Sequence, residues 1–232
     1  MFKILCIIPA RSGSKGLPNK NILDFKGKPL LSWSIEQALQ SKYNMRIIVS
    51  TDSEEYQKIA NNYGAETPFI RPKEISGDYS SDYECINHCI NWLRENENNE
   101  YDIVLHLRPT QPCRKVIDID NCLDLFIENY NDYDSLRTVI PMEKSPFKMY
   151  ILKEDNLKPL FNSINGINEP YNQARQLLPQ CYLHNGYIDI LKTEILVNNT
   201  ISGTRIYGYI MDDNNNIDID TEKDFNDGIV CL

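Results

Sequence analysis

Two cationic side chains and two glycines share a short stretch near the start of the sequence. Arg11 and Lys15 are four residues apart, with Gly13 between them and Gly16 directly after them. Glycine lets backbone N–H groups approach an anion where no Cβ stands in the way, and the two cations add positive charge. Together they predict a site for a polyphosphate. The stretch matches neither the P-loop pattern nor the dinucleotide-binding fingerprint, so neither of those phosphate-binding modes is indicated.

An acidic pair near the end of the sequence is a second candidate group. Asp218 and Asp220 alternate with Ile217 and Ile219. Residues i and i+2 of a strand project from one face, so both carboxylates can converge on one hard cation such as Mg²⁺. The same pair also suits a solvated polar face that ends in a helix N-cap, and on its own it favours that second interpretation. A metal site therefore needs support from elsewhere in the sequence.

Strands and helices alternate through the first 130 residues and would position these groups. Apolar runs predict buried strands, and helical periodicity predicts the segments between them. The predicted strands are 4–9, 46–51, 66–70 and 103–107, and the predicted helices are 29–39, 54–64, 81–95 and 116–130. This alternation predicts an α/β protein with a doubly wound, mostly parallel sheet and right-handed crossovers. Ligands of such sheets bind at the carboxyl ends of the strands, where the loop of Arg11 and Lys15 would lie.

The second half of the sequence loses this regular alternation. Short β-like runs separated by turns predict an antiparallel excursion at 135–141, 147–152 and 157–161. Residues 162–180 are polar and irregular. The later predicted elements are strands at 182–191 and 205–211, a turn at 214–216, an alternating run at 217–220 and a final helix from Thr221.

The bulk composition excludes several classes of protein. The 232 residues carry a formal charge of −9, which argues against a nucleic-acid binder but allows a local basic cluster around one nucleotide. A hydrophobic fraction of 41% supports one domain over residues 1–232, and no apolar run is long enough to span a membrane. No secretory signal precedes the first strand, and the seven cysteines are scattered singly, which predicts reduced thiols in a cytoplasmic protein.

Seven sequence blocks follow one another along almost the whole chain. They are 8–16, 48–52 (Ile-Val-Ser-Thr-Asp), 71–72 (Arg-Pro), 108–112 (Arg-Pro-Thr-Gln-Pro), 175–180 (Arg-Gln-Leu-Leu-Pro-Gln), 185–186 (Asn-Gly) and 217–222 (Ile-Asp-Ile-Asp-Thr-Glu). In this order they resemble the CMP-sialic acid synthetases, or acylneuraminate cytidylyltransferases. The related octulosonate cytidylyltransferases lack the Ser14-Lys15-Gly16 of the first loop, so the resemblance favours the sialate-like branch.

The resemblance implies a Rossmann-like nucleotidyltransferase that transfers CMP from CTP to the anomeric hydroxyl of a 2-keto-3-deoxy sugar acid and releases pyrophosphate. The cofactor it implies is Mg²⁺ or Mn²⁺, held by Asp218 and Asp220, with Asp220 also catalytic. The implied nucleotide-binding residues are Arg11, Gly13, Ser14, Lys15, Asn21, Arg71 and Ser80. In this assignment Arg11 and Lys15 bind the triphosphate and stabilise the departing pyrophosphate, while Arg71 and the backbone near Ser80 read the cytosine.

The resemblance also implies a pocket for the sugar acid. Lys148, Arg175 and Asn185 match family positions near the acceptor, where an arginine can bind a carboxylate through two parallel hydrogen bonds. Two positions depart from the family pattern, because Arg108 stands where the sialate enzymes usually have Gln and Asp189 where they have Tyr. Both would face the sugar, where they could pair with each other or read a differently substituted acceptor. We therefore expect an acceptor other than, or in addition to, N-acetylneuraminate.

The segment 139–175 resembles the arm through which family members form dimers and reach a partner's active site. Its apolar side chains would be unfavourable to expose on a monomer, which predicts a homodimer. Two alternatives stay open. One is a nucleotidyltransferase of the same fold that uses another acid, of octulosonate or phosphonate type. The other is a non-catalytic nucleotide-binding protein, which predicts loss of the loop cations or of the acidic pair, although both groups are present.

Overall fold

The computed structural model describes residues 2–212 and 217–229, and within them it contains twelve strands and five α-helices. The strands are β1 (Ile4–Pro9), β2 (Asp24–Phe25), β3 (Lys28–Pro29), β4 (Met45–Ser50), β5 (Ile103–His106), β6 (Ser135–Pro141), β7 (Tyr150–Lys153), β8 (Asn156–Pro159), β9 (Ser163–Ile164), β10 (Ile167–Asn168), β11 (Tyr182–Lys192) and β12 (Ile206–Ile210). The α-helices are α1 (Leu30–Leu39), α2 (Glu54–Asn62), α3 (Asp82–Glu97), α4 (Val116–Glu128) and α5 (Glu222–Ile229).

Six of the strands form the central sheet, in the order β12-β6-β11-β5-β1-β4. β1 pairs in parallel with β4 and with β5, and β12 pairs in parallel with β6. β11 runs antiparallel between β5 and β6. Five strands therefore share one direction, which confirms the predicted α/β, mostly parallel, doubly wound sheet. Because parallel strands end at the same edge, the loops that follow β1 and β5 lie close together there.

Helices cover both faces of this sheet. On one face the strands pack against α1, α2 and α4 through core residues that include Leu31, Ala60 and Leu123. On the other face they pack against α3 through Ile86 and Leu93. Helices cover β1 on both faces, and its first five residues are buried, which explains the unbroken apolar run.

Serine caps fix the starts of two of these helices. Ser53 Oγ accepts a hydrogen bond from the backbone N–H of Tyr56 at 3.4 Å, at the start of α2. Ser81 and Glu84 form a reciprocal capping box at the start of α3. The second cap matters for the site, because it fixes the amino end of α3, where Asp82 contacts Arg108 of the loop that follows β5.

Two of the predicted strands need correction. The strand at 66–70 is wrong: only an isolated bridge between Ile48 and Glu66 forms, because Pro68 has no N–H to continue a ladder. The run at 135–141 is a strand, but not part of an antiparallel excursion. It is β6, which lies inside the central sheet between β11 and β12. Local sequence patterns identify a strand more readily than the sheet to which it belongs.

The segment before α5 also differs from its predicted form. Residues 217–220 are not assigned to a strand. As the alternating sequence predicts, the side chains still point alternately inward and outward: Ile219 is fully buried, and Asp218 and Asp220 are exposed. The backbone N–H of Ile219 donates to Thr110 O at 2.9 Å and so fastens this segment to the loop after β5. The turn predicted at 214–216 lies outside the described residues.

Three small hairpins lie outside the central sheet among the described residues, and β2 with β3 forms the first of them. β7 pairs with β8 and β9 with β10, both antiparallel, within the segment predicted as an arm. All four residues of β7 are exposed. Among the described residues, no helix combines the length and the apolar character needed to cross a membrane.

Candidate active site

A cavity of about 660 Å³ opens at the carboxyl edge of the central sheet. Four parts of the chain line it: the loop after β1, the stretch from Arg71 to the amino end of α3, the loop after β5 and the segment before α5. Nine of the predicted site residues are among its lining: Arg11, Ser14, Lys15, Asn21, Arg71, Ser80, Arg108, Asp218 and Asp220. The fold therefore gathers residues from both ends of the chain in one place.

The loop after β1 directs its two cations at one carboxylate. Arg11 Nη1 lies 2.8 Å from Asp78 Oδ1, and Lys15 forms an ion pair with the same side chain. Hydrogen bonds from Lys15 and Arg11 lower the pKa of Asp78. Arg11 also donates to Gly13 O at 3.0 Å, and Asn21 Nδ2 donates to Arg11 O at 3.0 Å. Gly13 thus shapes this loop without lining the cavity, and Asn21 both lines it and supports the loop.

The acidic pair approaches the same loop. Asp220 Oδ1 lies 2.7 Å from Nζ of Lys20, whose side chain is only 11% exposed. Asp218 is exposed to the cavity, but the protein around it partly desolvates its carboxyl group and so raises its pKa, and the negative charge of Asp220 acts in the same direction. The two segments touch closely, because a Cβ placed on Gly16 would stand 2.6 Å from the backbone oxygen of Asp220. Only glycine fits at that point of the loop.

Asp218 and Asp220 fit a hard divalent cation. Carboxylate oxygens are the ligands that Mg²⁺ prefers, and a cation would offset the partial desolvation and the repulsion from Asp220 that together raise the pKa of Asp218. No group of three or more His, Cys, Asp or Glu side chains within residues 2–212 and 217–229 is placed to hold a metal. The other ligands would therefore be waters and phosphate oxygens, which is the usual arrangement for Mg²⁺.

Arg71 is a buried cation with unused donors. It is 4% exposed, and its Nε and Nη2 atoms have no hydrogen-bond partner within the described part of the chain. Its backbone N–H donates to Thr51 O at 2.8 Å, which fixes the residue in the cavity wall. Nearby, Ser80 Oγ accepts from Gly77 N–H at 2.9 Å, so it belongs to a turn. Buried donors without partners are rare in folded proteins and indicate a ligand that supplies acceptors.

Arg108 and Asp189 pair with each other, one of the two arrangements left open above. Arg108 Nη1 lies 2.6 Å from Asp189 Oδ2, and Arg108 Nη2 lies 2.7 Å from Asp82 Oδ2. Arg108 lines the cavity, whereas Asp189 is fully buried and does not. Asp189 therefore meets the cavity through the arginine above it.

Three other predicted residues are not gathered at the cavity of the single chain. Lys148 Nζ donates to Gln173 O at 2.6 Å, within the predicted arm. Arg175 lines a separate small pocket. Asn185 is buried, and its side-chain oxygen accepts from Thr138 Oγ1 at 2.6 Å. Their roles at the acceptor site stay predictions.

Lys20, Asp78 and Asp82 are site residues that the sequence reasoning missed. Lys20 stands between Asn19 and Asn21 and is the third basic side chain after β1, but its type and spacing gave it no role in the predicted site. Asp82 directly follows the helix cap Ser81, a position where a carboxylate is typical for structural reasons. Asp78 gave no signal beyond its place in a polar turn, since its partners lie more than sixty residues away.

Arg114 is a buried arginine that holds the loop after β5 in place. Its Nε donates to Tyr187 O at 2.6 Å, its Nη1 to Gln37 Oε1 at 2.8 Å and its Nη2 to Arg108 O at 3.0 Å. Burial lowers the pKa of this guanidinium to about 10. The side chain is 3% exposed, so water cannot replace these hydrogen bonds.

Replacing Arg114 by methionine should destabilise the fold by roughly 3 kcal/mol, because several buried acceptors would lose their donors. Urea unfolding followed by circular dichroism measures this difference. The matched control is Arg205→Met, which removes an arginine that is 53% exposed and paired with Asp134. That change should stay within about 1 kcal/mol. Equal losses in the two variants would contradict the structural role given to Arg114.

Comparisons with known proteins identify the family of the chain. A family model described as cytidylyltransferase matches residues 5–164. The chain is 36% identical over 181 residues to the pseudaminic acid cytidylyltransferase of Campylobacter jejuni, covering 78% of this chain and 75% of that protein. It is 35% identical to the N-acylneuraminate cytidylyltransferase of Escherichia coli over 96% of this chain, but it spans only 50% of that longer protein.

The fold has a close counterpart among solved structures. The structure of CMP:2-keto-3-deoxy-manno-octonic acid synthetase complexed with CTP superposes with a TM-score of 0.68 and covers 98% of this chain and 97% of the other. At 18% sequence identity this likeness speaks for the fold alone. The family model covers more than half of the chain, and the two relatives above are both named cytidylyltransferases. The chain therefore belongs to the cytidylyltransferase family and is a CTP-dependent cytidylyltransferase.

Proposed function

We propose that the enzyme transfers CMP from CTP to the anomeric hydroxyl of a nonulosonic acid and releases pyrophosphate. One observation carries this proposal: the cavity combines the cationic loop after β1 with the acidic pair before α5. Nucleotidyl transfer needs both, because the triphosphate must be neutralised and its α-phosphorus must be aligned with the attacking hydroxyl. A new O–P bond then forms at the α-phosphorus while the bond to pyrophosphate breaks.

The loop after β1 would hold the triphosphate. Arg11 and Lys15, now engaged with Asp78, would turn to the β- and γ-phosphates, and the backbone at Gly13 and Ser14 would supply N–H donors. The positive charges would stabilise pyrophosphate as it leaves. The exposed carboxylate of Asp78 would then be replaced by a more highly charged partner.

The cytosine base and the metal would both bind in this cavity. The unpaired donors of Arg71 suit the acceptor atoms of cytosine, close to the turn that contains Ser80. Asn21 would contact the nucleotide from the loop. Asp218 and Asp220 would hold Mg²⁺ or Mn²⁺, which when bound polarises phosphate oxygens and favours loss of the proton from a coordinated hydroxyl.

The acceptor would be a nonulosonic acid other than, or beside, N-acetylneuraminate. The relatives described above carry names that refer to pseudaminic acid and to N-acylneuraminate. Arg108, which lines the cavity, departs from the Gln expected in the sialate branch. Lys148, Arg175 and Asn185 stay candidates for the same acceptor site.

Pyrophosphate release with a panel of acceptors tests this proposal. The purified chain would be assayed with CTP and with each other nucleoside triphosphate in turn, in the presence of Mg²⁺. The acceptors would be pseudaminic acid, a legionaminic acid, N-acetylneuraminate and an octulosonate. We expect release only with CTP and with the highest kcat/KM for a nonulosonic acid other than N-acetylneuraminate. A strong preference for the octulosonate would refute the proposed acceptor class, and a strong preference for N-acetylneuraminate would refute the narrower choice.

We also propose that two copies of the chain form a homodimer through the hairpin arm. Ile151, Leu152 and Leu157 of β7 and β8 are each more than half exposed, which is unfavourable for a free monomer. Lys148 and Arg175 lie on the same arm, away from their own cavity, and in a dimer they could enter the partner's cavity.

Sedimentation equilibrium should give the mass of a dimer at micromolar concentration. Replacing Ile151 and Leu157 together by aspartate should shift the mass to that of a monomer, because charges would then lie in the apolar contact. The double variant Lys58→Asp with Lys73→Asp, at exposed positions of the central domain, serves as the control and should stay dimeric. A wild-type monomer whose mass does not depend on concentration would contradict the dimer.

A further inference from the structure

Asp189 is a fully buried carboxylate surrounded by basic side chains. Its Oδ2 atom lies 2.6 Å from Arg108 Nη1 and 2.9 Å from Arg137 Nη1. Its Oδ1 atom lies 2.7 Å from His184 Nε2. His106 Nδ1 approaches Oδ2 to 3.6 Å. One oxygen of this carboxylate thus contacts Arg108, which lines the cavity, and the other oxygen contacts His184.

The register of β11 places His184 at the edge where the cavity opens. Asp189 pairs with Arg137 of β6, and His184 pairs with Val139, two residues further along β6. Arg137 and Val139 are two residues apart on β6 and therefore share a face of the sheet. Their partners Asp189 and His184 project on that same face, although the register of β11 shifts between them. Because β11 is antiparallel to its neighbours, its amino end lies at their carboxyl edge. His184 is 43% exposed there, while Asp189 below it is inaccessible.

The negative charges of Asp189 and Asp82 offset the positive charges of Arg108 and Arg137. Burial alone would raise the pKa of Asp189, but the rings of His106 and His184 and the charges of Arg108 and Arg137 outweigh it, and the pKa falls well below its usual value. Asp82 is a second carboxylate, 2.7 Å from Arg108 Nη2. Two carboxylates therefore neutralise two guanidinium groups.

Arg108 and His184 each keep a ring or guanidinium nitrogen that no other described residue contacts. Arg108 Nε and His184 Nδ1 have no partner within the described part of the chain. Since the charge of Arg108 is already neutralised by Asp82 and Asp189, it has little left to attract the acid's own carboxylate. Its free N–H groups still suit an uncharged oxygen, such as the carbonyl of an acylamino group.

We propose that Asp189 is a positioning residue that does not touch the sugar acid but holds Arg108 and His184 as the pair that reads an acylamino substituent of the acceptor. This inference rests on the proposed function. It adds the substituent of the acceptor that is recognised, and it assigns Asp189 the task of orienting Arg108 and His184. It revises the expectation that Asp189 itself faces the sugar.

Steady-state kinetics of Asp189→Asn, Arg108→Gln and His184→Gln test the proposal. Each variant should raise KM for the preferred acid by about tenfold, because a charge-assisted contact is lost or misplaced. KM for CTP should stay within about twofold of wild type. Adding Asp189→Asn to the double variant Arg108→Gln/His184→Gln should have little further effect, because Asp189 acts through those two side chains. Independent, multiplicative effects would overturn the positioning role.

A substrate comparison tests the group that is read. The preferred acid would be compared with an analogue in which a hydroxyl replaces the acylamino group. Wild type should lose about tenfold in kcat/KM on the analogue, whereas Arg108→Gln should treat the two acids nearly alike. An equal loss in both proteins would overturn the assignment of the acylamino group.

Asp134→Asn is the matched control. Asp134 is also held by an arginine, with Arg205 Nη2 at 2.8 Å from Oδ1, but it precedes β6 at the opposite edge of the sheet. This variant should lower the melting temperature without changing KM for the acid. A similar rise in KM in the control would mean that loss of stability explains the effect, and would overturn the proposal. A wild-type chain that turns over none of the acids would overturn the proposed function itself, whereas turnover with unchanged KM in the three variants would overturn only this inference.

Discussion

The variant Asp220→Asn should lower kcat for pyrophosphate release by about 100-fold or more, the size of effect seen when a group that stabilises transition-state charge is removed. The substitution removes one negative charge from the proposed metal site and weakens the contact between Asp220 and Lys20. The side chain of Asp220 is 71% exposed, so the fold should survive the change. Initial rates at saturating CTP and acceptor, with Mg²⁺ titrated, measure both the loss and any change in metal requirement.

The control for this measurement is Asp132→Asn. Asp132 is exposed in the turn between α4 and β6, at the edge of the sheet away from the cavity. It should keep normal turnover and normal Mg²⁺ dependence. If Asp220→Asn also kept near-normal turnover with Mg²⁺, the assignment of the metal to the acidic pair would be wrong.

Gly16→Ala should strongly lower kcat/KM for CTP, although it adds only one methyl group. The new Cβ would stand 2.6 Å from the backbone oxygen of Asp220, a separation that van der Waals repulsion does not allow. Either the loop after β1 or the segment before α5 must move. A displacement of about 1 Å between reacting groups can lower the rate by about 100-fold, so kcat/KM for CTP should fall by that order.

Gly208→Ala on β12 is the matched control for this substitution. Its new Cβ would meet Val139 Cγ2 at 3.9 Å, an ordinary contact distance. Kinetics and melting temperature should be measured for both variants, since overpacking also destabilises a fold by about 1–3 kcal/mol. Wild-type kcat/KM in Gly16→Ala would show that the loop and the acidic segment need not touch for catalysis.

Much of the fold could be predicted because its signals are local. The buried run of β1 and the periodicity of α3 are properties of short windows, and each matches the structure within a few residues. The strand predicted at 66–70 failed because a proline interrupted the ladder. The run at 135–141 was recognised as a strand but assigned to the wrong surroundings, because the choice of partner strands depends on residues far away in the sequence.

Site residues could be predicted where the chemical type of the side chain itself indicates the ligand, such as a cation for phosphate or a carboxylate for a metal ion. Arg11, Lys15 and Asp218 were identified from type, spacing and resemblance, and the cavity contains all three. Asp78 could not be identified, because its importance comes from ion pairs that form only in the folded chain. The burial of Asp189 was equally hidden, since nothing in its neighbours' types indicates the four basic groups around it.

The contact between Lys20 and Asp220 spans 200 residues of chain. Contacts of such length have a large loop-closure entropy, so we expect the segment before α5 to join the sheet late in folding. The catalytic cavity would then be among the last parts of the molecule to form and among the first to open. In the proposed function a nucleotide bound there would bridge the two distant segments, and at a hundred times its Kd it would stabilise the native state by about 2.7 kcal/mol. Bound CTP would thus stabilise the enzyme against unfolding.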